Sequence, residues 1–268
     1  AMKRAIGTTS SGSFIHSPPG PPARSASSRP LMNDVSTGPG ISSLTQMLCS
    51  TNSCASTRVN IHKPALDADE FFSVSHSMLQ LKGHDIHWVA PQSLDMRYYI
   101  ENFNAEHIQR FEDAYFQNIE GYNRLLVSMS FYERFGDYEF MLICQPDAIV
   151  LKPELHLWLE KPYDYIGAPW PQGFSLKIKT ASIPMADEIN CTAFVGNGGL
   201  SLRRNLACIQ LLNEFPDLRD QWEKAGHAED LFFAFLGNLS EKFKIPNMMV
   251  AANFSHDIDP IYLQNLIY

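Results

Sequence analysis

The sequence predicts an α/β domain with a central mixed, mainly parallel sheet flanked by helices, preceded by a disordered N-terminal tail. Two segments with a helical spacing of apolar residues, 69–81 and 119–135, are each followed by an apolar segment of strand length, at 86–91 and 140–144. A short strand is also expected at 59–61, so a strand, a helix and a strand lie within about thirty residues. This order favours parallel pairing, because a parallel connection needs a long crossover. The tail is predicted from the Ser, Pro and Gly content of residues 1–56.

Residues 1–56 carry few large apolar side chains, so they cannot bury enough surface to offset the entropy of ordering. We therefore divide the chain into a disordered tail at 1–56 and a folded domain at 57–268. The tail is basic and rich in serine, which is typical of an organellar transit peptide, of an export signal, or of a tail without a targeting role. Because it lacks the apolar core of a secretory signal, we expect a cytoplasmic protein, with an exported effector acting in a host cytoplasm as the alternative.

The predicted domain is acidic. The chain has a formal net charge of -8, but residues 1–60 carry +4, so residues 61–268 carry -12. A phosphate backbone binds basic surfaces, so we expect no nucleic acid as the main partner. No apolar run approaches the length of a membrane-spanning helix, so we expect no membrane span.

The five cysteines are odd in number and show no Cys-x-x-Cys spacing. Reduced, unpaired thiols in a reducing compartment are the main interpretation, and a bridge between Cys49 and Cys54 is the alternative. Three cysteines lie in apolar contexts that predict core positions: Cys144, Cys191 and Cys208.

The segment that organises the domain is 138–153, YEFMLICQPDAIVLKP. Its apolar run, 140–144, reads as an interior strand, and Pro146 cannot donate a hydrogen bond to continue the sheet. Asp147 is therefore expected to project from the carboxyl end of the strand, where open α/β sheets bind their ligands. A carboxylate there can hold a divalent cation, although an Asp in a strand-end turn is also common for purely structural reasons.

The strongest helix prediction is 119–135, in which five apolar residues fall on one face and Gly136 follows as the stop. Its first turn contains Tyr122, Asn123 and Arg124. An arginine there could reach a phosphate or a sugar, and a solvated or salt-bridged surface arginine is the alternative.

Two later segments have the composition of ligand-binding loops. The residues YDYIGAPW at 163–170 suit stacking on a sugar or a base, or a tyrosine-lined corner of the core. A mobile loop is expected at 171–190. The glycine cluster at 196–199 allows a ligand to approach the backbone closely. A tight hairpin turn is the alternative interpretation, because it would need the same residues.

The C-terminal part is predicted from caps and spacing. Asn205 caps a helix over 206–215 that Pro216 ends, and the sequence NMMVAANFSHD at 247–257 is expected to form a strand. Glu229 and Asp230 stand at the head of an apolar helix. Two carboxylates there suit the helix dipole, and they also suit a general base.

Taken together, the strings GYNRLLVS, YEFMLICQPDAIVL, YDYIGAPW, VGNGGLSLRR and AEDLFF resemble a family of domains of uncharacterised function that are regarded as glycosyltransferases and are often associated with polysaccharide biosynthesis. The resemblance covers about residues 58–268. It implies the GT-A fold, a nucleotide-binding α/β sheet with an Asp-x-Asp motif for a metal. Gln145-Pro146-Asp147 would occupy the place of that motif.

The resemblance implies a transferase that moves a sugar from a nucleotide-diphosphate sugar to a hydroxyl of a carbohydrate or protein acceptor, with inversion. Asp230 would be the general base, with the roles of Asp230 and Glu229 exchanged if Glu229 points into the site. Asp147 and His256 would bind Mn²⁺ or Mg²⁺. The donor-binding residues would be Asn60, His62, Tyr122, Asn123, Arg124 and Gln145, and the acceptor-side wall would be Trp170, Asn197, Gly198 and Gly199.

Two features depart from that family pattern. Gln145 offers a neutral oxygen where a carboxylate is expected, and the relatives continue beyond Tyr268 into a segment that contains a histidine. These departures favour, as a second hypothesis, a non-catalytic module that binds a nucleotide sugar or a protein. A third hypothesis is a nucleotidyltransferase, which would need a glycine-rich basic phosphate loop where the chain supplies only Lys63.

Overall fold

The structure is a computed structural model that describes the backbone of residues 47–50 and 54–59 together with residues 63–183, 188–258 and 261–263. The first two strands, β1 (Met47–Ser50) and β2 (Cys54–Val59), lie within or across the boundary predicted at residue 56. Asn60 and His62 lie outside the described residues, as do Ile61 and the side chains of Cys49 and Cys54.

The other strands are β3 (Asp85–Pro91), β4 (His107–Phe111), β5 (Phe140–Cys144), β6 (Tyr165–Ile178) and β7 (Ile189–Arg204). The helices are α1 (Ala68–Gln80), α2 (Arg97–Phe103), α3 (Ile119–Val127), α4 (Met129–Arg134), α5 (Leu155–Leu159), α6 (Asn205–Glu214), α7 (Pro216–Ala225), α8 (Glu229–Leu239) and α9 (Met248–Phe254). The predicted helix at 69–81 and the predicted strands at 86–91 and 140–144 are confirmed.

The strands form one mixed sheet in the order β4-β3-β1-β2-β5-β7-β6. The pairs β3–β4, β2–β3 and β2–β5 are parallel. All pairings of β1 are antiparallel, as are β5–β7 and β6–β7. The expectation of a mainly parallel sheet is therefore wrong. The reason is that β1 enters the sheet in the opposite direction and the long β6–β7 hairpin builds one edge of it.

Strand β5 is buried on both faces, as a central strand should be. Met141 and Ile143 contact the main core, which includes side chains of α3, α4, α6 and α8. Phe140, Leu142 and Cys144 alternate with them and contact a second cluster on the other face. This burial explains why a continuous apolar run identified the strand from the sequence.

The helix predicted at 119–135 is two helices. Ser128 leaves the helical conformation, with φ -78° and ψ 140°, and its Oγ accepts a hydrogen bond from the N–H of Phe131 at the start of α4. The same hydroxyl donates to the carbonyl of Leu125 at the end of α3. Apolar spacing continues through the break because both helices face the same core, so periodicity alone did not reveal it.

The region predicted as loops at 163–190 is mostly strand. Strand β6 begins at Tyr165 and runs to Ile178, and β7 begins at Ile189. Register shifts in the pairing of β6 with β7 between Ile166 and Phe174 accommodate the glycine and prolines that suggested a loop. The glycine cluster at 196–199 therefore lies in the middle of β7, one strand of the β6–β7 hairpin.

Two predictions for the C-terminal part are wrong, the Asn205 cap and the strand at 247–257, whereas the helix that Pro216 ends is confirmed. Arg204 occupies the N-cap of α6, and the Asn205 amide instead donates to the carbonyls of Tyr132 and Phe135. Pro216 starts α7, where its missing N–H costs nothing, as well as ending α6. The segment predicted as a strand at 247–257 contains α9, which is capped by the Asn247 side chain.

Cys144, Cys191 and Cys208 are buried free thiols, as predicted. Among the described residues, no helix has the length and apolar content needed to span a bilayer.

Ser128→Ala is expected to lower the free energy of unfolding by about 1 kcal/mol, because it removes the cap of α4 and the bond to the end of α3. Urea denaturation measures the change. Ser93→Ala, at an exposed position in the turn after β3, is the control and should change stability by less than about 0.5 kcal/mol. Equal effects of the two substitutions would contradict the role assigned to Ser128.

Candidate functional site

The site begins where β5 ends. The backbone N–H of Gln145 donates to the carbonyl of Gly199 (2.8 Å), and the N–H of Ala148 donates to the carbonyl of Gln145 (2.9 Å), which closes a turn. Asp147 lies in this turn with its side chain exposed, as the proline before it predicted. The turn is therefore attached directly to the glycine segment of β7.

Helix α1 holds the other side of the turn. Ser73 Oγ donates to the carbonyl of Ala148 (3.1 Å), and Ser77 Oγ accepts from the N–H of Val150 (2.9 Å). Both serines are buried and lie one helical turn apart, on the face of α1 that also carries Glu70. This polar face fixes the position of the residues that follow Asp147.

Asp147 is surrounded by negative charge. Desolvation by nearby protein atoms raises its pKa, and the charges of Asp257 and Glu70 raise it further. Asp257 also accepts a hydrogen bond from the Asn197 amide, while the ring of the adjacent His256 bonds to the carbonyl of Ala252 in the preceding helix, α9. The segment after α9 thus reaches the neighbourhood of Asp147 through Asp257.

The predicted metal ligands do not form a complete site on their own. In the part of the chain that the structure describes, no group of three or more His, Cys, Asp or Glu side chains is arranged to hold a metal ion. Asp147 and Asp257 supply two carboxylates, and one ring nitrogen of His256, Nε2, bonds to the carbonyl of Ala252.

The glycine segment, 196–199, lies in the middle of β7, and its glycines do not have positive φ angles. Their role is close approach. A Cβ on Gly198 would lie 2.9 Å from Oε1 of Glu229 and 3.3 Å from Cβ of Asp230. The glycine segment therefore allows the head of α8 to contact the backbone of β7 directly.

A buried ion pair stands behind this contact. Arg203 is fully buried, and its Nη2 lies 2.5 Å from Oε1 of Glu229. Its Nη1 donates to the hydroxyl of Tyr132 (3.0 Å), and its Nε donates to Ser201 Oγ (3.1 Å). The guanidinium carbon also lies about 5 Å from the centres of two rings, those of Tyr165 and Phe233.

Glu229 and Asp230 are adjacent but have different environments. Glu229 is buried, bonded to Arg203 through Oε1 and to the N–H of Asp230 through Oε2 (2.6 Å). Asp230 remains partly exposed, and its Oδ1 accepts from the N–H of Leu231 (2.7 Å) in the first turn of α8. Desolvation, and next the charge of Glu229, raise the pKa of Asp230 to about 7. Asp230 is therefore the carboxylate that can exchange a proton near neutral pH.

The residues predicted in the first turn of α3 make structural contacts. Asn123 Nδ2 donates to the carbonyl of Gly226 (3.1 Å), and Arg124 Nε donates to the carbonyl of Glu223 (3.0 Å). These bonds attach α3 to the end of α7, just before Glu229. The Tyr122 hydroxyl is buried beside the Gln145 side chain, and among the described residues no partner forms a hydrogen bond of normal geometry with it.

The predicted acceptor-side wall divides into core and surface residues. Trp170 is buried: its ring meets Phe174 edge-on at 4.8 Å between centroids and lies against Gly196. The tyrosine-lined core corner is thus the better interpretation of 163–170. Asn197 bonds to Asp257 through its amide and accepts from the N–H of Gly199 (3.3 Å).

Comparison of the sequence with models of protein families gives a match. Residues 106–266 match the family model DUF5672, which is described as a protein of unknown function. The chain belongs to this family. The match includes Asp147, the glycine segment, Arg203 and the Glu229–Asp230 pair. Neither the curated proteins nor the solved structures gave a match to this chain.

Several residues at this site were missed by sequence reasoning. Ser201 and Arg203 alternate with Leu200 and Leu202 in β7, and two polar residues on one face of a strand were the available signal for a buried network. The buried residues Ser73 and Ser77 on α1 gave a similar signal. No sequence pattern indicated that Asp257 would approach Asp147.

Replacing Asp230 by Asn is expected to stabilise the protein at pH 8 and to have little effect at pH 4. The pKa of Asp230 is about 7 in the folded protein and about 3.9 in an unfolded chain, so the native state binds the extra proton between these values. Stability therefore falls as the pH rises through this window, and Asn cannot ionise.

The difference between a pKa of about 7 and one of about 3.9 is worth about 4 kcal/mol at pH 8. Because 1 kcal/mol corresponds to about 2–4 °C in a domain of this size, we expect Asp230→Asn to melt roughly 10 °C above the unsubstituted protein at pH 8. Asp137→Asn, at an exposed position before β5, controls for the change in net charge. If the melting temperatures of Asp230→Asn and the unsubstituted protein differ by the same amount at pH 4 and at pH 8, the raised pKa of Asp230 would be contradicted.

Gly198→Ala is expected to destabilise the protein by about 1–3 kcal/mol, because the new Cβ would overlap Oε1 of the buried Glu229. Gly199→Ala is the matched variant. Its Cβ would lie 3.1 Å from Oε1 of Gln145, the end of a side chain that can move, so a smaller loss is expected. Urea denaturation compares the two, and equal losses would show that contact with Glu229 does not set the requirement for glycine.

Proposed function

We propose that this protein is a glycosyltransferase of GT-A-like architecture that moves a sugar from a nucleotide-diphosphate sugar to an acceptor hydroxyl. The observation that carries the proposal is Asp230, a partly exposed carboxylate with a pKa of about 7. A general base works best when its pKa lies near the operating pH. Asp230 would take the proton of the acceptor hydroxyl as its oxygen attacks the anomeric carbon, with inversion.

The arrangement of the site supports a donor bound near the end of β5. Open α/β sheets bind ligands at the carboxyl ends of their strands, and Gln145 and Asp147 follow such an end. The bond from Gln145 to Gly199 brings this edge beside the glycine segment, whose Gly198 contacts Asp230. A donor beside Gln145 would then have its anomeric carbon within reach of an acceptor held near Asp230.

Within this proposal, Asp147 and Asp257 would hold Mn²⁺ or Mg²⁺ together with oxygens of the donor diphosphate. After desolvation, the charges of Asp257 and Glu70 raise the pKa of Asp147. Carboxylates gathered in this way attract a cation, and hard divalent cations prefer oxygen ligands. His256 would join them through Nδ1, because its Nε2 bonds to the carbonyl of Ala252. Such a cation would neutralise charge on the departing diphosphate.

A non-catalytic module that binds a nucleotide sugar or a protein is the second candidate. Gln145 supports it, because an amide replaces the first expected carboxylate. It is also supported by the described residues, which offer no complete set of metal ligands. The two candidates differ in turnover and share the donor site.

We expect one nucleotide sugar among UDP-, GDP-, CMP- and dTDP-linked donors to raise the melting temperature in the presence of Mn²⁺. A ligand that binds the native state stabilises it by mass action. The shift should be lost in Asp147→Ala and kept in Asp137→Asn, which changes a carboxylate at the opposite end of β5.

Turnover of the donor that binds then separates the candidates. Loss of a general base lowers kcat by typically about 100-fold or more, so Asp230→Asn should bind the donor normally and turn it over at least about 100 times more slowly. Binding without release of sugar from the unsubstituted protein would favour the binding module. No shift with any donor would contradict the proposed donor site.

A further inference from the structure

A ring of contacts connects Arg203 to Asp230 along two routes. On the first route, Arg203 pairs with Glu229, and Glu229 accepts from the N–H of Asp230. On the second route, Arg203 donates to Ser201 Oγ, and Ser201 donates to the carbonyl of Gly198 (3.1 Å). Gly198 lies against the head of α8, since a Cβ on it would be 3.3 Å from Cβ of Asp230, and this contact closes the ring.

We propose that Arg203 is a positioning residue that holds the head of α8 and the glycine segment together, and thereby fixes the Asp230 carboxylate against the backbone of Gly198. It touches no ligand, because it is fully buried. Its importance for turnover depends on the proposed function, whereas its effect on the geometry around Asp230 does not.

The chemistry of arginine fits this role and that of lysine does not. Three of its nitrogens have different acceptors: Nη2 bonds to Glu229, Nη1 to Tyr132 and Nε to Ser201. A lysine ammonium is a compact charge on a flexible stem, and it cannot span three acceptors in fixed directions. Two aromatic rings also hold the plane of the guanidinium.

The ring also separates the roles of the two carboxylates. Glu229 neutralises a buried arginine, and moving it into the site would leave that buried charge unpaired, which is strongly unfavourable. Asp230 is therefore the free carboxylate of the pair. The groups that act on its charge are Glu229 on α8, Arg203 and the Gly198 N–H on β7, and the Leu231 N–H, while Asp230 in turn acts on Tyr165 of β6.

The test follows the backbone amide of Gly198 by ¹⁵N NMR in the full chain while the pH is changed from 5 to 9 at roughly half-unit steps, a range centred on neutrality. In the unsubstituted protein, the Gly198 amide signal should move as Asp230 ionises, and this movement should be absent in Asp230→Asn. In Arg203→Lys, which keeps the charge, we expect the movement to fall at least about twofold or to shift its midpoint, since the ring is opened.

Arg204→Lys is the matched control. Arg204 is the next residue in β7, and it pairs with Glu139 and Asp164 outside the ring, so the Gly198 signal should behave as in the unsubstituted protein. A folded Arg203→Lys protein with an unchanged Gly198 titration would overturn the proposal. If Arg203→Lys does not fold, the measurement is made on Ser201→Ala, which removes the link from Arg203 to Gly198 and keeps the buried pair; an unchanged Gly198 titration in that variant would overturn the proposal.

The two proposals can fail separately. If the protein has no transferase activity but its Gly198 amide signal follows the ionisation of Asp230 only when Arg203 is present, the positioning proposal stands and the transferase proposal fails. If the protein is an active transferase but its Gly198 titration is unchanged in Arg203→Lys, the transferase proposal stands and the positioning proposal fails.

Discussion

The buried pair of Arg203 and Glu229 is the interaction on which the rest of the site depends. A fully buried guanidinium is stable only with a counterion and with its remaining hydrogens bonded, and Glu229, Tyr132 and Ser201 meet that need. This requirement joins the middle of the sheet to α4 and to the head of α8. Asp230 follows Glu229 in the chain, so the pair that balances the buried charge also sets the position of the carboxylate that can react.

Asp230 lies next to a glycine because nothing larger fits. The backbone of β7 approaches α8 so closely that a Cβ at Gly198 would lie within van der Waals contact of Glu229 and Arg203. One residue further, the Gly199 carbonyl accepts the bond that holds Gln145 at the end of β5. The glycine segment therefore connects two carboxylates, Asp147 and Asp230, that lie 83 positions apart in the sequence. On the far side, buried serines of α1 support the same turn.

Sequence reasoning found the parts of the fold that local patterns determine. The strand at 140–144 is buried on both faces, and the acidic pair begins an apolar helix, so each was visible in a short window. The break at Ser128 was hidden because α3 and α4 share a core, and the β6–β7 strands were hidden because bulges accommodate Gly and Pro. The antiparallel β1 and the approach of Asp257 to Asp147 depend on contacts between distant segments. The ring around Arg203 depends on such contacts as well, since it joins β7 to α8.

The measurement that tests this account most directly is the pKa of Asp230 itself. The carboxyl carbons of ¹³C-labelled aspartate can be followed by NMR as the pH changes, and the Asp230 signal is identified by its absence in Asp230→Asn. The account predicts a midpoint near 7, because the carboxylate is desolvated and lies beside Glu229. A midpoint near the ordinary value of about 3.9 would contradict it, since Asp230 would then not be poised to exchange a proton at neutral pH.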